Sequence, residues 1–560
     1  MRANCSAIRT VSILPVLLLF VMALMLVVPW QRAGAASAVV GTGTPASCTE
    51  GAFDSALTTA STGGGTITFN CGPVVHTLQF TVAKIVNLGD VTIDGGGRII
   101  LAAGNNERHF FAGPVTFRLR NITLQQGDSL VNGGAIEASG GQVVLETVRL
   151  LNNRSAVAGG AIYCYDGTLT IEGSQIDGNN APTGGAIFND GCVVTIRNSS
   201  FADNRATAAV NGRGGAVDNA VLGKLTVRNS RFQANSALDG GALYNAGGAS
   251  ADLAGVTLAE NTGGYGGAIE NSGAITITDS LLDRNSVTGS GGALWNISGS
   301  ALLERSTVSA NTAFEGGGIS TYGTTLEMRQ VNLVGNTATA PGGGGTNGGG
   351  LHHLGGVVFI TDATISGNVA RNSGGGIYQV ADENLTLTNV TLANNVADVL
   401  GGGLYHYGRY AVLTNATLAN NSAGVAGAAI YEDSPQTPAS PGIVQLANSV
   451  IFGSTVNCDG GLFQSLGHNL SQGSCASLTA STDRDVFAGA LLVGSLAYNG
   501  GSFPMQTILP LAGSPLIDAG DPAQCNATDQ RGASRVGTCD IGSVEFGAEA
   551  FALYLPAIVR

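Results

Sequence analysis

Three histidines carry the side chains best suited to acid–base chemistry in this sequence. His352 and His353 are adjacent, and His406 follows about two repeats later. A polysaccharide lyase needs a base beside the sugar C5 and usually Ca²⁺, whereas an inverting hydrolase needs two carboxylates. The sequence has no Asp-Asp pair, no Gly-His-Gly and only two lysines. Because neighbouring strand residues face opposite sides, His352 and His353 do not address one site. We therefore predict surface histidines and no catalytic residues.

A recurring aromatic position is a candidate for binding. The phrase Gly-Gly-Ala-Ile, or a close variant, occurs twelve times between Gly133 and Gly427, and the residue after its Ile or Leu is aromatic in seven repeats. If the Ile points inward, this next residue points outward, where aromatic faces stack on sugars or anchor interfaces. The alternative is that the rings stack on each other and shield the surface. The candidates are Tyr163, Phe188, Tyr244, Trp295, Tyr378, Tyr405 and Tyr431.

Acidic residues occupy the same position in three other repeats. They are Glu137, Asp218 and Glu270. We interpret them as outward-facing acids that interrupt the aromatic column and discourage aggregation.

The spacing of the phrase defines the architecture that positions these side chains. It returns every 25 to 27 residues, apart from two steps of 30 and 32 that predict loops near 207–213 and 341–347. Each repeat holds about three short alternating stretches, such as 169–171 and 194–196, and no helical spacing. A fixed period of this size indicates a solenoid. We predict an all-β, right-handed parallel β-helix with capped ends, in which the glycines adopt positive φ or approach other backbone closely.

A second phrase recurs with the first: an apolar residue, two variable residues and then Asn, from Asn153 to Asn421. Asn tolerates left-handed backbone, and stacked amides hydrogen bond to one another along a parallel array. We predict a structural role for this column.

The two phrases together resemble the repeats of the polymorphic outer-membrane protein family, a group of surface-exposed β-helical adhesins. Phe201 with Asn204 and Phe232 with Asn235 match that family's Phe-x-x-Asn motif, and the likeness extends over about residues 130–430. The resemblance implies a β-helix exposed at a surface. The chain departs from the family after the repeats, where about 130 residues lack the alternating segments of a membrane barrel.

Composition and the N-terminal segment indicate a location outside the cytoplasm. Arg2 and Arg9 precede an apolar stretch at 11–28, which predicts a cleaved secretory signal over residues 1–38, with an uncleaved anchor as the alternative. No other apolar stretch is long enough to span a membrane. The chain has a net charge of −13 and no basic stripe, which excludes a nucleic-acid partner. We expect a secreted or cell-surface protein.

Eight of the nine cysteines fall in near-neighbour pairs, as expected for disulfides in an oxidising compartment. The pairs are Cys48 with Cys71, Cys164 with Cys192, Cys458 with Cys475, and Cys525 with Cys539. A disulfide between Cys164 and Cys192 needs a tight turn, because Asn189, rather than Cys192, stacks on Cys164. Metal binding by the cysteines is the alternative.

The regions outside the repeats are interpreted as ends of the solenoid. We assign residues 39–120 to an N-terminal cap and first coils, 121–452 to the repeats, 453–547 to a C-terminal cap and 548–560 to a hydrophobic tail. The C-terminal part, with Gly513 to Asp521 and Cys539 to Glu545, resembles the choice-of-anchor regions that follow β-helices in bacterial surface proteins.

Four acidic residues occur near the C-terminus: Asp518, Asp521, Asp529 and Asp540. One interpretation is that they bind calcium. The favoured interpretation is that they pair with Arg531 and Arg535. We predict no resident metal or other cofactor.

The resulting functional hypothesis is an adhesin-like or structural surface protein without catalysis, whose repetitive face binds glycans or other cell-surface components. The alternative is a polysaccharide-active lyase or glycoside hydrolase of the pectate-lyase-like β-helix class.

Overall fold

The computed structural model describes residues 36–104, 106–340, 345–434, 436–437, 440–475, 478–487 and 489–550. Most of the predicted signal segment, the tail from 551 onward and part of the Gly-rich loop at 341–347 lie outside these ranges. Within them, the chain forms a parallel β-helix, as predicted. One continuous 40-stranded sheet wraps around the rod. It has three faces, on which each strand pairs with the equivalent strand of the next coil.

Face 1 follows the Gly-Gly-Ala-Ile phrase. Its strands are Lys84–Val86, Phe110–Ala112, Ile136–Ser139, Ile162–Tyr165, Ile187–Asp190, Val217–Asn219, Leu243–Asn245, Ile269–Asn271, Leu294–Asn296, Ile319–Thr321, Leu351–His353, Ile430–Glu432 and Cys458–Gly460.

Face 2 comes next in each coil. Its separate strands are Ala38–Val40, Gly65–Phe69, Thr168–Glu172, Val193–Arg197, Lys224–Arg228, Ser250–Ala254, Ala274–Thr278, Ile443–Ala447 and Leu462–Ser465.

Face 3 completes the three-sided core. Its separate strands are His76–Phe80, Gln175–Asp177, Ser200–Ala202, Arg231–Gln233, Thr257–Ala259, Leu281–Asp283, Thr417–Ala419, Val450–Phe452, Leu470–Ser471 and Arg484–Asp485.

Several longer strands bend around a corner of the rod. Leu404–Thr414 covers faces 1 and 2, and Ile377–Ala393 passes through all three. Those that cover faces 2 and 3 are Val91–Ala103, Thr116–Gln125, Gln142–Leu151, Ser300–Ser309, Thr324–Val334 and Gly356–Ser366.

Two-residue strands form a short fourth side between faces 3 and 1, which the sequence did not indicate. They are Asp128–Ser129, Arg154–Ser155, Asn180–Ala181 and Arg205–Ala206 in one group, and Thr262–Gly263, Ser286–Val287, Thr312–Ala313, Thr337–Ala338, Val369–Ala370, Val396–Ala397 and Ser422–Ala423 in another. Two antiparallel pairs lie outside the coils: Gln436–Thr437 with Ser440–Pro441, and Ala497–Tyr498 with Gln506–Thr507.

The repeated glycines turn the chain into face 1. The first glycine of all twelve phrases has a positive φ, between 55° and 72°. A Cβ atom on Gly266 would overlap the Ile269 carbonyl oxygen, and one on Gly267 would overlap the Gly292 carbonyl of the next coil. The turn therefore requires glycine for its φ and for its close contacts. The apolar residue that follows is buried and stacks on its equivalent, as Ile136 does on Ile162.

The Asn column is a buried ladder, which confirms the predicted structural role. The Asn261 Nδ2 group donates to the Asn285 Oδ1 atom at 2.9 Å and to the Phe232 carbonyl at 3.1 Å. Its Oδ1 atom accepts bonds of 3.0 Å from both the backbone N–H and the Nδ2 group of Asn235. The side chain thus satisfies buried backbone groups in the corner between face 3 and the fourth side.

A helix covers the N-terminal end of the rod. A short 3₁₀ turn, Pro45–Ser47, precedes the α-helix Glu50–Ser61, whose first turn is capped by the Thr49 hydroxyl. Its buried residues follow helical spacing and pack on the first coils. Lys84 anchors the helix through ion pairs with Glu50 and Asp54. Among the described residues, no helix combines the length and apolarity needed to cross a membrane.

Four disulfides join the cysteines in the predicted neighbouring pairs: Cys48–Cys71, Cys164–Cys192, Cys458–Cys475 and Cys525–Cys539. Asn189 stacks on Cys164 in the strand register, and the turn after it brings Cys192 back to a Cα–Cα distance of 6.1 Å.

Candidate functional site

The residues that follow the phrase form one column on face 1, each in register with its equivalent in the next coil. In order along the rod the column reads Phe111, Glu137, Tyr163, Phe188, Asp218, Tyr244, Glu270, Trp295, Ser320, His352, Tyr378, Tyr405, Tyr431 and Asp459. We call it the face 1 column. All seven predicted aromatic residues are therefore aligned, but they lie in four separate groups.

The largest aromatic group is a four-ring stack near the C-terminal end. His352, Tyr378, Tyr405 and Tyr431 follow one another with centroid separations of 5.3, 4.6 and 6.0 Å and nearly parallel planes. The Tyr405 hydroxyl donates to Asp433 at 2.5 Å. Burial and this carboxylate raise the pKa of Tyr405. Because the ring faces cover one another, the stack presents ring edges along most of its length.

A smaller group occurs near the N-terminal end. Tyr163 and Phe188 stack at 5.5 Å, and the Tyr163 hydroxyl donates to Asp190 at 2.6 Å. Burial, followed by this hydrogen bond, raises the pKa of Tyr163.

The acids of the face 1 column are not the exposed side chains that we expected. Glu137 pairs with Arg108, while Asp218 and Glu270 are only 3% and 6% exposed. Burial raises the pKa of Asp218 to about 7, which the Thr183 hydroxyl and Arg213 partly oppose. Burial and the charge of Asp239 raise the pKa of Glu270 to about 8. These two acids are therefore largely neutral or half-ionised near pH 7.

A second column, formed by the residue just before each Gly-Gly, explains this burial. Short bridges align Arg213, Asp239 and Tyr265 in this column. Its side chains lie over the face 1 column of the following coil. The Thr183 hydroxyl donates to Asp218 at 2.6 Å, and the Arg213 guanidinium lies 4.7 Å from the centre of the Tyr244 ring. The sequence analysis missed this column because its residue types vary from coil to coil.

These two columns together make the candidate site, which we call the acid–aromatic patch. Tyr265 stacks on Trp295 with 4.4 Å between ring centres, and Tyr265 remains 40% exposed. In the part of the chain that the structure describes, Asp218 Oδ1 and Glu270 Oε2 have no hydrogen-bond partner. The patch consists of Arg213, Asp218, Asp239, Tyr244, Tyr265, Glu270 and Trp295.

A second asparagine ladder holds the strands beneath the patch. Asn189, Asn219, Asn245, Asn271 and Asn296 each follow a face 1 column residue, and their side chains link in sequence through Nδ2–Oδ1 hydrogen bonds of 2.7 Å. The ladder was visible in the sequence as Asn two positions after the Ile, Leu or Val of five successive phrases. It rigidifies the strands that carry Asp218, Tyr244, Glu270 and Trp295.

The three histidines are buried, which corrects the prediction of surface histidines. His352 lies in the face 1 column, whereas His353 faces the other way and aligns with Gln379 and then His406. Burial lowers the pKa of His352 to about 3 and that of His353 to about 4. His406 pairs with the buried Glu432. As predicted, His352 and His353 do not address one site.

The C-terminal acids are held by hydrogen bonds and arginines. Asp529 pairs with Arg531 at 2.7 Å, as expected, while Arg535 pairs with Glu545 at 3.0 Å. The Asp540 carboxylate accepts from the Asp518 backbone N–H at 2.8 Å, and Asp521 bonds to Gln524. Among the described residues, no group of three or more His, Cys, Asp or Glu side chains is placed to hold a metal ion.

Comparison with known proteins supports the repeat. The Chlamydia polymorphic membrane protein repeat model matches residues 147–165, which include Asn153 of the ladder, the phrase that begins at Gly159, and Tyr163. No curated protein matches the chain. Among solved structures, a mutant of the periplasmic alginate epimerase AlgG aligns with 71% of this chain and 76% of its own, at 9% identity and a TM-score of 0.22. This TM-score carries no functional argument.

Proposed function

We propose that this protein is an adhesin-like rod, displayed outside the cell, that binds glycans through the acid–aromatic patch without catalysing a reaction. The observation that carries the proposal is the stacked Trp295–Tyr265 pair, in which Tyr265 remains 40% exposed. Aromatic rings pack against the apolar faces of sugars. The four disulfides and the surface-protein repeat support an extracellular location.

The charge state of the patch favours an uncharged glycan. Glu270, with a pKa of about 8, is mostly protonated at pH 7 and can donate as well as accept a hydrogen bond. Asp218 titrates near neutrality and Asp239 adds further negative charge when ionised. A uronate would meet these carboxylates with only Arg213 to offset them. At the acid–aromatic patch we therefore expect neutral hexose-containing glycans to bind more tightly than anionic ones.

The test is a glycan-array screen with the full chain, followed by titration of any hit. Trp295→Ala and Tyr265→Ala are expected to weaken binding at least tenfold, and Glu270→Gln less so. Phe359→Ala removes another exposed ring, on face 2, and serves as the matched control. Failure of the full chain to bind any glycan would overturn the proposal, as would an equal loss in Phe359→Ala.

A second candidate is glycoside hydrolysis at the same patch. Asp218 and Glu270 lie two coils apart in the face 1 column, about 10 Å from strand spacing alone, near the upper limit for an inverting pair. Burial raises the pKa of both carboxyl groups, as is needed for a general acid near neutral pH. Release of reducing ends, abolished by both Asp218→Asn and Glu270→Gln, would establish this activity over simple binding.

A further inference from the structure

The corner between faces 2 and 3 forms a groove that runs along the rod. A residue with positive φ makes this corner in each of the coils named below, so the chain bends sharply there. We call this groove the corner groove. The corner residues are Asn121, Thr147, Gly173, Asn198, Asn229, Gly255, Asp279, Arg305, Gln330, Asp362, Asn389, Asn415 and Asn448.

The C-terminal half of the corner groove is occupied by the chain's own C-terminal segment. Face 3 side chains donate to carbonyl oxygens of that segment: Asn332 to Pro504 at 2.9 Å and Thr364 to Gln506 at 2.6 Å. The corner residue Asn389 donates likewise to the Thr528 carbonyl at 3.0 Å.

Apolar contacts complete this coverage. The buried cluster contains Ala393, Ala419, Val450, Phe452 and Leu470 from the coils, and Leu491, Ile508, Leu516 and Ile541 from the C-terminal segment. Hydrogen bonds also run the other way, since Gln530 donates to the Ala363 carbonyl and Arg535 to Asn389. The groove in this half thus holds the C-terminal segment through polar groups on both sides.

In the N-terminal half, the same groove is open. Two adjoining cavities of about 690 and 350 Å³ follow it, and they share Gly173 and Gln175. Together they extend along the corner from Gly97 to Gly255. Thr364, in the covered half, belongs to the column of face 3 residues that point outward. In the open half, the same column consists of Thr123, Arg149, Gln175, Ser200, Arg231 and Thr257.

Arginines lie in the outward column of the open half, although the protein as a whole is acidic. Arg149 and Arg231 are exposed. The Nε group of Arg149 donates to the neutral amide of Gln175 at 3.0 Å, and that of Arg231 donates to Gln233 at 3.0 Å. The two arginines lie three coils apart, about 14 Å by strand spacing. The backbone of face 3 is already paired from coil to coil, so a peptide cannot add to it as a strand. Recognition here falls to guanidinium, amide and hydroxyl groups.

We propose that the open half of the corner groove binds a linear polysaccharide that carries carboxylates. Arginine forms strong, charge-assisted hydrogen bonds to carboxylates, and Ser200, between the two arginines, suits a sugar hydroxyl. A nucleic acid fits less well, because among the described residues no aromatic side chain lines this groove for base stacking and the net charge is −13. This site is separate from the acid–aromatic patch.

The experiment measures binding of polygalacturonate to the full chain, with its methyl ester as the neutral match. Arg149→Gln combined with Arg231→Gln is expected to weaken binding about tenfold or more, as loss of two charge-assisted contacts implies. Arg284→Gln combined with Arg371→Gln removes the same charge from exposed sites outside the groove and should leave binding unchanged.

Several outcomes would overturn the proposal. They are absence of binding, equal weakening in both double variants, equal binding of the methyl ester to the Trp295→Ala protein, and displacement of polygalacturonate by single-stranded DNA of matched charge at lower concentration. Trp295→Ala should not alter polygalacturonate binding, because Trp295 lies in the acid–aromatic patch and not in the groove. This variant therefore tests the groove proposal separately from the proposed glycan binding at the patch.

Discussion

The Thr391 hydroxyl donates a 2.6 Å hydrogen bond to the Gln530 Oε1 atom, across 139 residues of sequence. Thr391 belongs to the outward column of face 3, and Gln530 belongs to the C-terminal segment. The Ser543 hydroxyl lies 2.9 Å from the same threonine oxygen. All three side chains are fully buried. This contact therefore marks where the C-terminal segment seals the side of the rod.

Thr391→Val should loosen the C-terminal segment. The substitution keeps the shape but leaves Gln530 Oε1 without its donor, which costs about 1–3 kcal/mol. Thermal unfolding and limited proteolysis after residue 490 would report the change. Thr257→Val, at the equivalent position in the open half, should shift stability by no more than about 0.5 kcal/mol. Equal effects in the two variants would contradict the docking role.

Asn261→Ala should be strongly destabilising. It removes one rung of the ladder, takes the Oδ1 acceptor from the buried Asn235 N–H and Nδ2 groups, and removes one donor each from Asn285 and the Phe232 carbonyl, which amounts to about 3–5 kcal/mol. Urea denaturation would measure the loss. Asn384→Ala, at an exposed strand position, is the control and should be nearly neutral. A small effect at Asn261 would mean that water replaces the ladder contacts.

Gly266→Ala should cost more than Gly323→Ala, although both glycines have positive φ. The backbone penalty of about 1–2 kcal/mol applies to each. A Cβ at Gly323 meets open space, whereas one at Gly266 overlaps the Ile269 carbonyl. We expect about 1–3 kcal/mol more loss at Gly266 from this overlap. The difference between the denaturation midpoints of the two variants would measure the cost of the steric overlap, because the backbone penalty is common to both.

Stability should fall between about pH 4.5 and pH 8 through Glu270. Its folded pKa of about 8 lies above the ordinary 4.5, so the folded state binds the proton more tightly. That contribution is complete below the ordinary pKa and is lost as pH rises through the folded value. Glu270→Gln should therefore stabilise the protein at pH 8.5 by roughly 1–3 kcal/mol and have little effect at pH 4. Unfolding curves at both pH values would show this, and a pH-independent effect would contradict the burial of the charge.

Relationships between equivalent positions of neighbouring coils could be predicted from the sequence. The 25-to-27-residue period implied a parallel β-helix, the paired glycines implied positive φ, and the recurring Asn implied a ladder such as the one at Asn261. Each of these follows from contacts between equivalent positions one coil apart, so the repeat itself contains the information. The alignment of Tyr378 with Tyr405 follows for the same reason.

What only the tertiary structure decided is how non-equivalent positions meet. Arg213, on an insertion, lies over the ring of Tyr244, which stands between Asp218 and Glu270 in the face 1 column. Both acids are buried, so residues that looked exposed have raised pKa values, which the charge of Arg213 partly opposes. His352 is covered by Tyr378, and Thr391 by Gln530. The period does not encode such contacts, because they depend on side-chain packing between different columns and on a C-terminal segment outside the repeat. The sequence thus determined the rod, and the packing determined which parts of its surface stay open.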